Sequence, residues 1–344
     1  MIPQKLKVGI AGYGIVGKRR RQFIDLNPNM KTVAVSDIKF DQGGVAADGV
    51  RLYKSYQDLL SEKLDALFVS LPNYLAAKAT ICGLENGLHV FCEKPPGMTV
   101  QDIRDVIKVE KKYPNLKLMY GFNHRYHESV KEAKRVIESH QYGEIINIRG
   151  VYGKSNIIPF DVGWRSERKY AGGGILLDQG IHILDMIRYF AGDFEEIKSF
   201  VSNKYWHHDV EDNAYVIMRS SNGCVAMLHS TATQWQHKFR LEIALREALL
   251  ELTGILSGSK SYGEEKLKIV PRNDRSDVGS FYEITNSYLD DNSWRDEIND
   301  FVDLIIQNKS IDKGSSSEAL KVMEMIYQIY CADQEWKNVF NIQP

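Results

Sequence analysis

No segment of this chain comes near the length of a membrane span, since its longest apolar runs, such as Ala66–Leu71, are far too short. Nor does Met1–Gly9 carry the charged start and apolar centre of a signal peptide, because a strand pattern begins almost at once. Cysteine is scarce. Cys82, Cys92, Cys224 and Cys331 stand far apart, mostly in apolar surroundings and without metal-ligand spacing. They are expected to be buried free thiols in a reducing compartment, which makes a cytoplasmic location the default. The formal net charge is only −1, so there is no electrostatic case for nucleic acid or an anionic membrane as partner. His207-His208-Asp209 is the one cluster with the look of metal ligands. Adjacent residues point in different directions and no fourth ligand is suitably spaced, so a solvated turn is expected and no metal site. A Gly-x-Ser-x-Gly elbow, an internal repeat and a disordered tail are all missing. What remains is 344 residues, 43% hydrophobic and 26% charged, the composition of a soluble globular protein too long for one ordinary core.

The N-terminal third alternates between two periods. Leu6–Ala11 reads as a strand, followed by Gly12-Tyr13-Gly14-Ile15-Val16-Gly17, a helix, and a second strand, Thr32–Ser36, ending at Asp37. That is the order a dinucleotide site requires. Gly12 permits the tight turn, Gly14 admits a pyrophosphate to the backbone, and Gly17 lets the helix pack on the strand. The helix start offers free N–H groups to phosphate, and Asp37 stands where a carboxylate receives the ribose hydroxyls. A carboxylate there disfavours a 2′-phosphate, so NAD is expected over NADP, although Lys39 could soften the preference.

Further strands are expected at Ala66–Leu71, Leu88–Cys92 and Lys117–Phe122, with helices at Tyr56–Ser61, Leu75–Asn86 and from Thr99 to Lys112. This alternation predicts a doubly wound parallel sheet, on which ligands gather at the carboxyl ends of the strands. Asn73, Glu93-Lys94-Pro95 and Asn123-His124-Arg125-Tyr126 fall at such ends. Lys94 is either tuned by its neighbours for chemistry or held in a salt bridge to a carboxylate such as Glu93, and spacing alone does not choose.

After Tyr126 the chain carries one amphipathic helix, Glu128–His140, and then becomes strand-rich. Strands are expected at Glu144–Tyr152, Ile197–Lys204, Glu211–Ser220, Cys224–Thr233, Phe239–Leu245 and Ala248–Thr253, with a hairpin at Asn222-Gly223. Gly254–Ile269 reads as a loop ending in a short strand, Arg272–Gly279 as exposed, and helices as Ser293–Ile306 and Glu318–Glu335. The result is a predicted α+β domain with a large open, mainly antiparallel sheet, whose uncovered face invites a second subunit. The expected division is 1–122 and 123–344, with helix 318–335 able to pack back on the first domain.

The only long helix among those strands follows Gly172-Gly173-Gly174 and is expected to run to Phe190, stopped by Gly192. Asp178, His182 and Asp185 fall at i, i+4 and i+7, on one face. A carboxylate beside an imidazole on a buried helix suits proton transfer, and equally suits a satisfied polar pair in a core.

Taken in order, the glycine loop Gly12–Gly17, Glu93-Lys94-Pro95, Gly121-Phe122-Asn123-His124-Arg125, Trp164-Arg165 and Gly172 through His182 with Asp185 resemble the glucose–fructose oxidoreductase, inositol dehydrogenase and rhizopine catabolism (Gfo/Idh/MocA) family. The resemblance implies an NAD(P)-dependent dehydrogenase acting on a secondary hydroxyl or ketone of a sugar. It implies Lys94, Asp178 and His182 as the catalytic set, with a Lys94–Pro95 bond that is often cis in the family. In that assignment His182 takes the hydroxyl proton, Lys94 polarises the same oxygen, and Asp178 orients. The cofactor would meet Gly12, Tyr13, Gly14, Ile15, Val16, Gly17, Asp37, Ser70, Pro72, Asn73, Glu93 and Lys94. Substrate would meet Lys94, Asn123, Arg125, Tyr126, Trp164, Arg165, Asp178 and His182, and Asp185 would orient or support. Family members often carry a histidine where this chain has Ala76, so the nicotinamide surroundings differ in detail. A nucleotide-linked sugar is the leading substrate expectation, and a homodimer or homotetramer through the second sheet the expected assembly. The alternatives are an inositol-type dehydrogenase and a glycosidase or lyase using tightly held NAD for transient oxidation.

Overall fold

The computed structural model describes residues 5–41, 43–155, 163–257, 261–272 and 282–342. It divides into two compact units. The first is built on seven strands: β1 (Leu6–Ala11), β2 (Met30–Ser36), β3 (Gly44–Val45), β4 (Arg51–Tyr53), β5 (Ala66–Val69), β6 (His89–Glu93) and β7 (Leu118–Gly121). Their order is β3-β4-β2-β1-β5-β6-β7, parallel throughout except for the short edge pair of β3 and β4. Helices α1 (Ile15–Leu26), α2 (Tyr56–Leu59), α3 (Asn73–Glu85) and α4 (Val100–Glu110) connect them. Ala66–Val69 is buried along its whole length, as expected of a strand covered on both faces. Thr99 and Asp102 form a reciprocal cap that starts α4.

The second unit carries α5 (Glu128–Glu138) and β8 (Ile145–Ser155); a one-turn α6 (Arg168–Ala171) follows, which from Lys169 on counts with the first unit. The second unit continues with α7 (Ile181–Ala191) and strands β9 (Glu196–Ser202), β10 (Asn213–Arg219), β11 (Val225–Gln234), β12 (Lys238–Leu245), β13 (Ala248–Thr253), β14 (Glu265–Pro271) and β15 (Ile284–Tyr288). The eight strands lie in the order β15-β14-β13-β12-β8-β11-β10-β9, antiparallel except for β8 and β11. Alternation decides which residues face inward: along β10 the pattern is strict, with Ala214, Val216 and Met218 buried and Tyr215, Ile217 and Arg219 outward.

Two stretches beyond residue 122 cluster with the first unit. They are residues 169–172 and 294–321, so that unit's chain is not confined to 1–122. The second stretch begins with α8 (Ser293–Ile306), whose Phe301 packs edge-on against Phe68 and Phe91 of the parallel sheet. Tyr120 N donates to Gly314 O, and Asn27 is bonded to Asn299. Of α9 (Ser316–Ala332), the first residues up to Lys321 count with the first unit. From Val322 on the chain counts with the second, where Ser199 Oγ donates to Ile329 O. A short α10 (Gln334–Val339) ends the described chain.

The helix after the triple glycine also differs. It starts as a π-turn, Leu176–Gly180, and becomes α-helical only from Ile181. The wider turn means that Asp178 and His182 are less than one full turn apart rather than stacked at ordinary helical spacing. β15 was not foreseen, because Ile-Thr-Asn-Ser-Tyr is a polar edge strand with little buried. Residues 258–260 of the Gly/Ser-rich segment and 273–279 of the expected exposed stretch lie outside the described residues.

Candidate active site

In the first unit a phosphate-sized cradle is made of backbone. Gly12 has φ +91°, and a Cβ there would sit 2.3 Å from Ser70 O. A Cβ on Gly17 would sit 2.0 Å from Gly12 O, so both positions exclude a side chain for reasons internal to the fold. Gly14 is different: a Cβ there would meet nothing within 4 Å. The space it leaves is open, and α1 starts at this point with no side-chain cap and no acidic residue in its first turn. The intrahelical ladder begins with Lys18 N donating to Gly14 O, so the N–H groups of Ile15, Val16 and Gly17 precede it. Such a helix end holds an anion.

Asp37 closes the loop from β2. Its Oδ2 accepts from Tyr13 N at 3.2 Å and its Oδ1 from Lys39 N at 3.0 Å, which fixes the carboxylate while leaving lone pairs for ribose hydroxyls. At the end of β5, Ser70 Oγ is buried and has no hydrogen-bond partner among the described residues. These features fit a dinucleotide. Asn73 starts α3 and donates from Nδ2 to Ala171 O at 2.7 Å.

Glu93 and Lys94 end β6, and Lys94–Pro95 is cis. The Glu93 carboxylate is held by Arg20. Arg20 Nε lies 2.5 Å from Glu93 Oε1, its Nη2 lies 2.6 Å from Glu297 Oε2, and its guanidinium sits between the rings of Phe91 and Trp294. Two carboxylates thus share one cation in a dry place. Burial pushes Glu297 up to about 8, with Arg20 opposing and Glu93 adding to the rise.

In the second unit the site is made of side chains. Glu211, fully buried, accepts from Gly174 N (2.8 Å), Leu176 N (3.0 Å) and Tyr330 Oη (2.7 Å). It therefore ties down the start of the helix that carries Asp178 and His182. His182 is buried, and its ring stacks on His124 with centroids 3.8 Å apart and planes 17° from parallel. Tyr152 stands beside both rings. Tyr262 lies 5.2 Å from the Tyr152 ring, donates to Gln179 Oε1 at 3.2 Å, and packs edge-on against His237.

The charge of Asp178 is felt across this wall. Burial raises the Tyr152 and Tyr262 hydroxyls above their ordinary range, with Asp178 adding to both. Lys154 is pulled down by burial and raised by Asp178. Trp164 and Arg165 form a stacked pair at 4.3 Å, and Arg165 also lowers Lys154.

Arg125, expected at the substrate, is turned inward. Its Nε and Nη2 hold the two oxygens of Asp185 at 2.8 and 2.6 Å, and both side chains are about 1% exposed. The pair secures α7 against the segment that follows β7. Asn123 donates to Ser293 Oγ, and Tyr126 is buried. His207-His208-Asp209 serves the loop, with Asp209 accepting from Arg168 N and Nε. Tyr152, Lys154 and Tyr262 were missed in the sequence, and His124 was placed at a strand end without a role of its own. Tyr152 and Lys154 could have been found, since β8 places Ile148, Gly150, Tyr152 and Lys154 on one face.

Residues 6–122 match the model of an oxidoreductase family with an NAD-binding Rossmann fold, and residues 130–251 match the GFO/IDH/MocA C-terminal domain. The chain belongs to the Gfo/Idh/MocA oxidoreductase family. It is accordingly an NAD-binding dehydrogenase of a family that works on sugars and polyols. Among its Gfo/Idh/MocA relatives, levoglucosan dehydrogenase of Pseudarthrobacter phenanthrenivorans is 24% identical over 274 residues, 66% of this chain and 68% of the relative. D-Glucoside 3-dehydrogenase of Escherichia coli is 27% identical over 255 residues, 67% and 71% of the two chains. A solved levoglucosan dehydrogenase in complex with NADH and levoglucosan superposes with a TM-score of 0.83 at 22% identity, covering 97% of this chain and 98% of that one. That likeness supports the two-sheet fold. Among the described residues no helix is long and apolar enough to cross a membrane.

Proposed function

We propose that this dehydrogenase oxidises a secondary hydroxyl of a sugar or glycoside, or reduces the matching ketone, with Asp178 and His182 of the second unit and Lys94 of the first as its catalytic residues. The observation that carries the proposal is the buried His182 imidazole, held by a stack on His124 and carried, four residues after Asp178, on a helix whose start is anchored by Glu211. NAD, when bound, exchanges hydride at its nicotinamide C4. His182 takes the hydroxyl proton during oxidation and returns it during reduction, a task that positioned imidazoles perform at neutral pH. The Lys94 ammonium is the polarising cation that the first unit contributes, and Asp178 orients the imidazole or a neighbouring hydroxyl. Tyr152, Tyr262 and Trp164 offer ring faces to the C–H surface of a sugar, and Lys154 and Gln179 offer polar contacts. Asp37 makes NAD the preferred dinucleotide over NADP.

The names of the two curated relatives point to a sugar or glycoside without a nucleotide, so a nucleotide-linked sugar ranks second. A panel of free sugars, methyl glycosides, inositols and nucleotide-linked sugars, followed at the NADH absorbance band, tests this order. Appearance of NADH with a free sugar or glycoside supports the proposal. Turnover of nucleotide-linked sugars alone would reverse it, and glycoside cleavage without net NADH would mark the transient-oxidation alternative. The Lys94→Ala variant should bind NAD and lose turnover.

The outer face of the second unit's sheet supports self-association. Phe200, Tyr215, Ile217 and Met227 are at least 46% exposed there, and they line a groove of about 780 Å³ that ends in the Arg149, Arg240 and Glu242 charges. A homodimer or homotetramer closing this face is expected by light scattering, and Tyr215→Lys should shift it toward monomer.

A further inference from the structure

We infer that His124 is a positioning residue for the reaction: a plate whose tautomer is fixed by hydrogen bonds, and which orients His182 and steadies the imidazolium formed on it. The inference rests on His182 being the base.

The chain of hydrogen bonds leaves one assignment. Ser293 Oγ donates to Asp291 Oδ1 at 2.6 Å, so toward Asn123 it accepts, taking a hydrogen from Nδ2 at 3.1 Å. That fixes the Asn123 amide with its carbonyl toward His124, where Oδ1 lies 3.2 Å from Nδ1. A carbonyl only accepts, so His124 Nδ1 carries the hydrogen. His124 Nε2 is then the bare nitrogen and accepts from Tyr152 Oη at 3.2 Å. Burial, with Asp178 and Tyr262 adding to it, keeps that hydroxyl protonated and able to donate. Both ring nitrogens of His124 are thus satisfied in the neutral form, and a buried ring of this kind is costly to charge.

Its face is what it presents to His182. The parallel stack fixes the tilt of the His182 imidazole, and a proton taken up there places positive charge over a neutral π surface. The ionisable groups around the pair come from every neighbouring element. His127, 5.4 Å from the His124 ring, is bonded to Glu265 of β14. Asp185 is bonded to Arg125, Tyr152 and Lys154 come from β8, and Asp178 belongs to the π-turn. Arg125 neutralises Asp185, and the stack is a direct contact through which a charge on His182 is felt.

His124→Phe keeps a flat π face and loses both hydrogen bonds, whereas His124→Leu keeps apolar bulk and loses the face. The Phe variant should stay within about threefold of the parent in kcat. The Leu variant should lose about tenfold or more in kcat with KM and NAD affinity within about twofold, and its acid limb of kcat/KM should move down by about half a pH unit. Equal kcat and equal acid limbs in the two variants would overturn the inference. A nitrogen-15 histidine titration of the parent protein tests it without substitution. His124 should keep its Nδ1–H tautomer across the range in which His182 titrates, and titration of His124 in that range contradicts it. Should His182→Ala retain turnover, the base assignment fails as well. An inactive His182→Ala with indistinguishable Phe and Leu variants defeats only the role of His124.

Discussion

The two units make their sites from different material. In the first, the candidate cofactor cradle is made of backbone: a positive-φ glycine at the turn, an open space at Gly14 and an uncapped helix end, with Asp37 pinned to the loop. In the second, the proposed substrate wall is a set of side chains from β8, β12, the π-turn and α7, and from the segments around His124 and Tyr262. A backbone site tolerates almost no change of residue type at its glycines but is indifferent to much of what surrounds it. A side-chain site depends on many positions, each replaceable in part. This contrast explains why a family can keep one cofactor while its substrates vary.

The largest break in the contrast is expected within the second unit. Arg125→Met leaves Asp185 charged and buried, and should cost about 3–5 kcal/mol in denaturant unfolding. The double variant with Asp185→Leu should recover most of that loss, whereas no recovery would mean that the guanidinium matters beyond its ion pair. In the first unit, Gly12→Ala and Gly14→Ala separate fold from recognition. The Gly12 variant should lose about 1–3 kcal/mol, since its Cβ meets Ser70 O in a backbone region that alanine avoids. The Gly14 variant should melt like the parent and bind NAD more weakly, as calorimetry would show. Equal melting losses in both would contradict the open cradle.

The smallest effect is electrostatic. Burial holds the Glu297 carboxyl well above its unfolded value, so the folded state keeps a proton that the unfolded state releases. Stability from this group is complete below the ordinary carboxylate range and is lost as pH rises through about 8. Glu297→Gln should therefore flatten the fall in unfolding free energy between about pH 5 and 8 while keeping an acceptor for Arg20. An unchanged slope would mean that Glu93 or another group carries the proton.

How far the chain could be read beforehand follows the same division. The Gly12–Gly17 loop, Asp37 and the strand-end Lys94 are local patterns, and the structure places the turn, the helix and β2 where those patterns put them. The return of 294–321 to the first unit was not legible, because Arg20–Glu297 and Phe68–Phe301 join residues with no shared local pattern. The same applies to the His124–His182 stack, which two buried histidines on separate segments do not announce. Arg125 was placed by its strand-end position alone, and its pairing with Asp185, sixty residues away, was equally beyond a local pattern. The π-turn escaped notice since the apolar spacing after Gly174 is compatible with an α-helix from the outset.

The division of labour between backbone cradle and side-chain wall is tested most directly by measuring NAD affinity and turnover together in His182→Ala. The expected result is an NAD Kd within about twofold of the parent and a turnover lower by about 10²–10⁴-fold on the best sugar of the panel. Turnover near the parent value, or loss of NAD binding in step with activity, would contradict it.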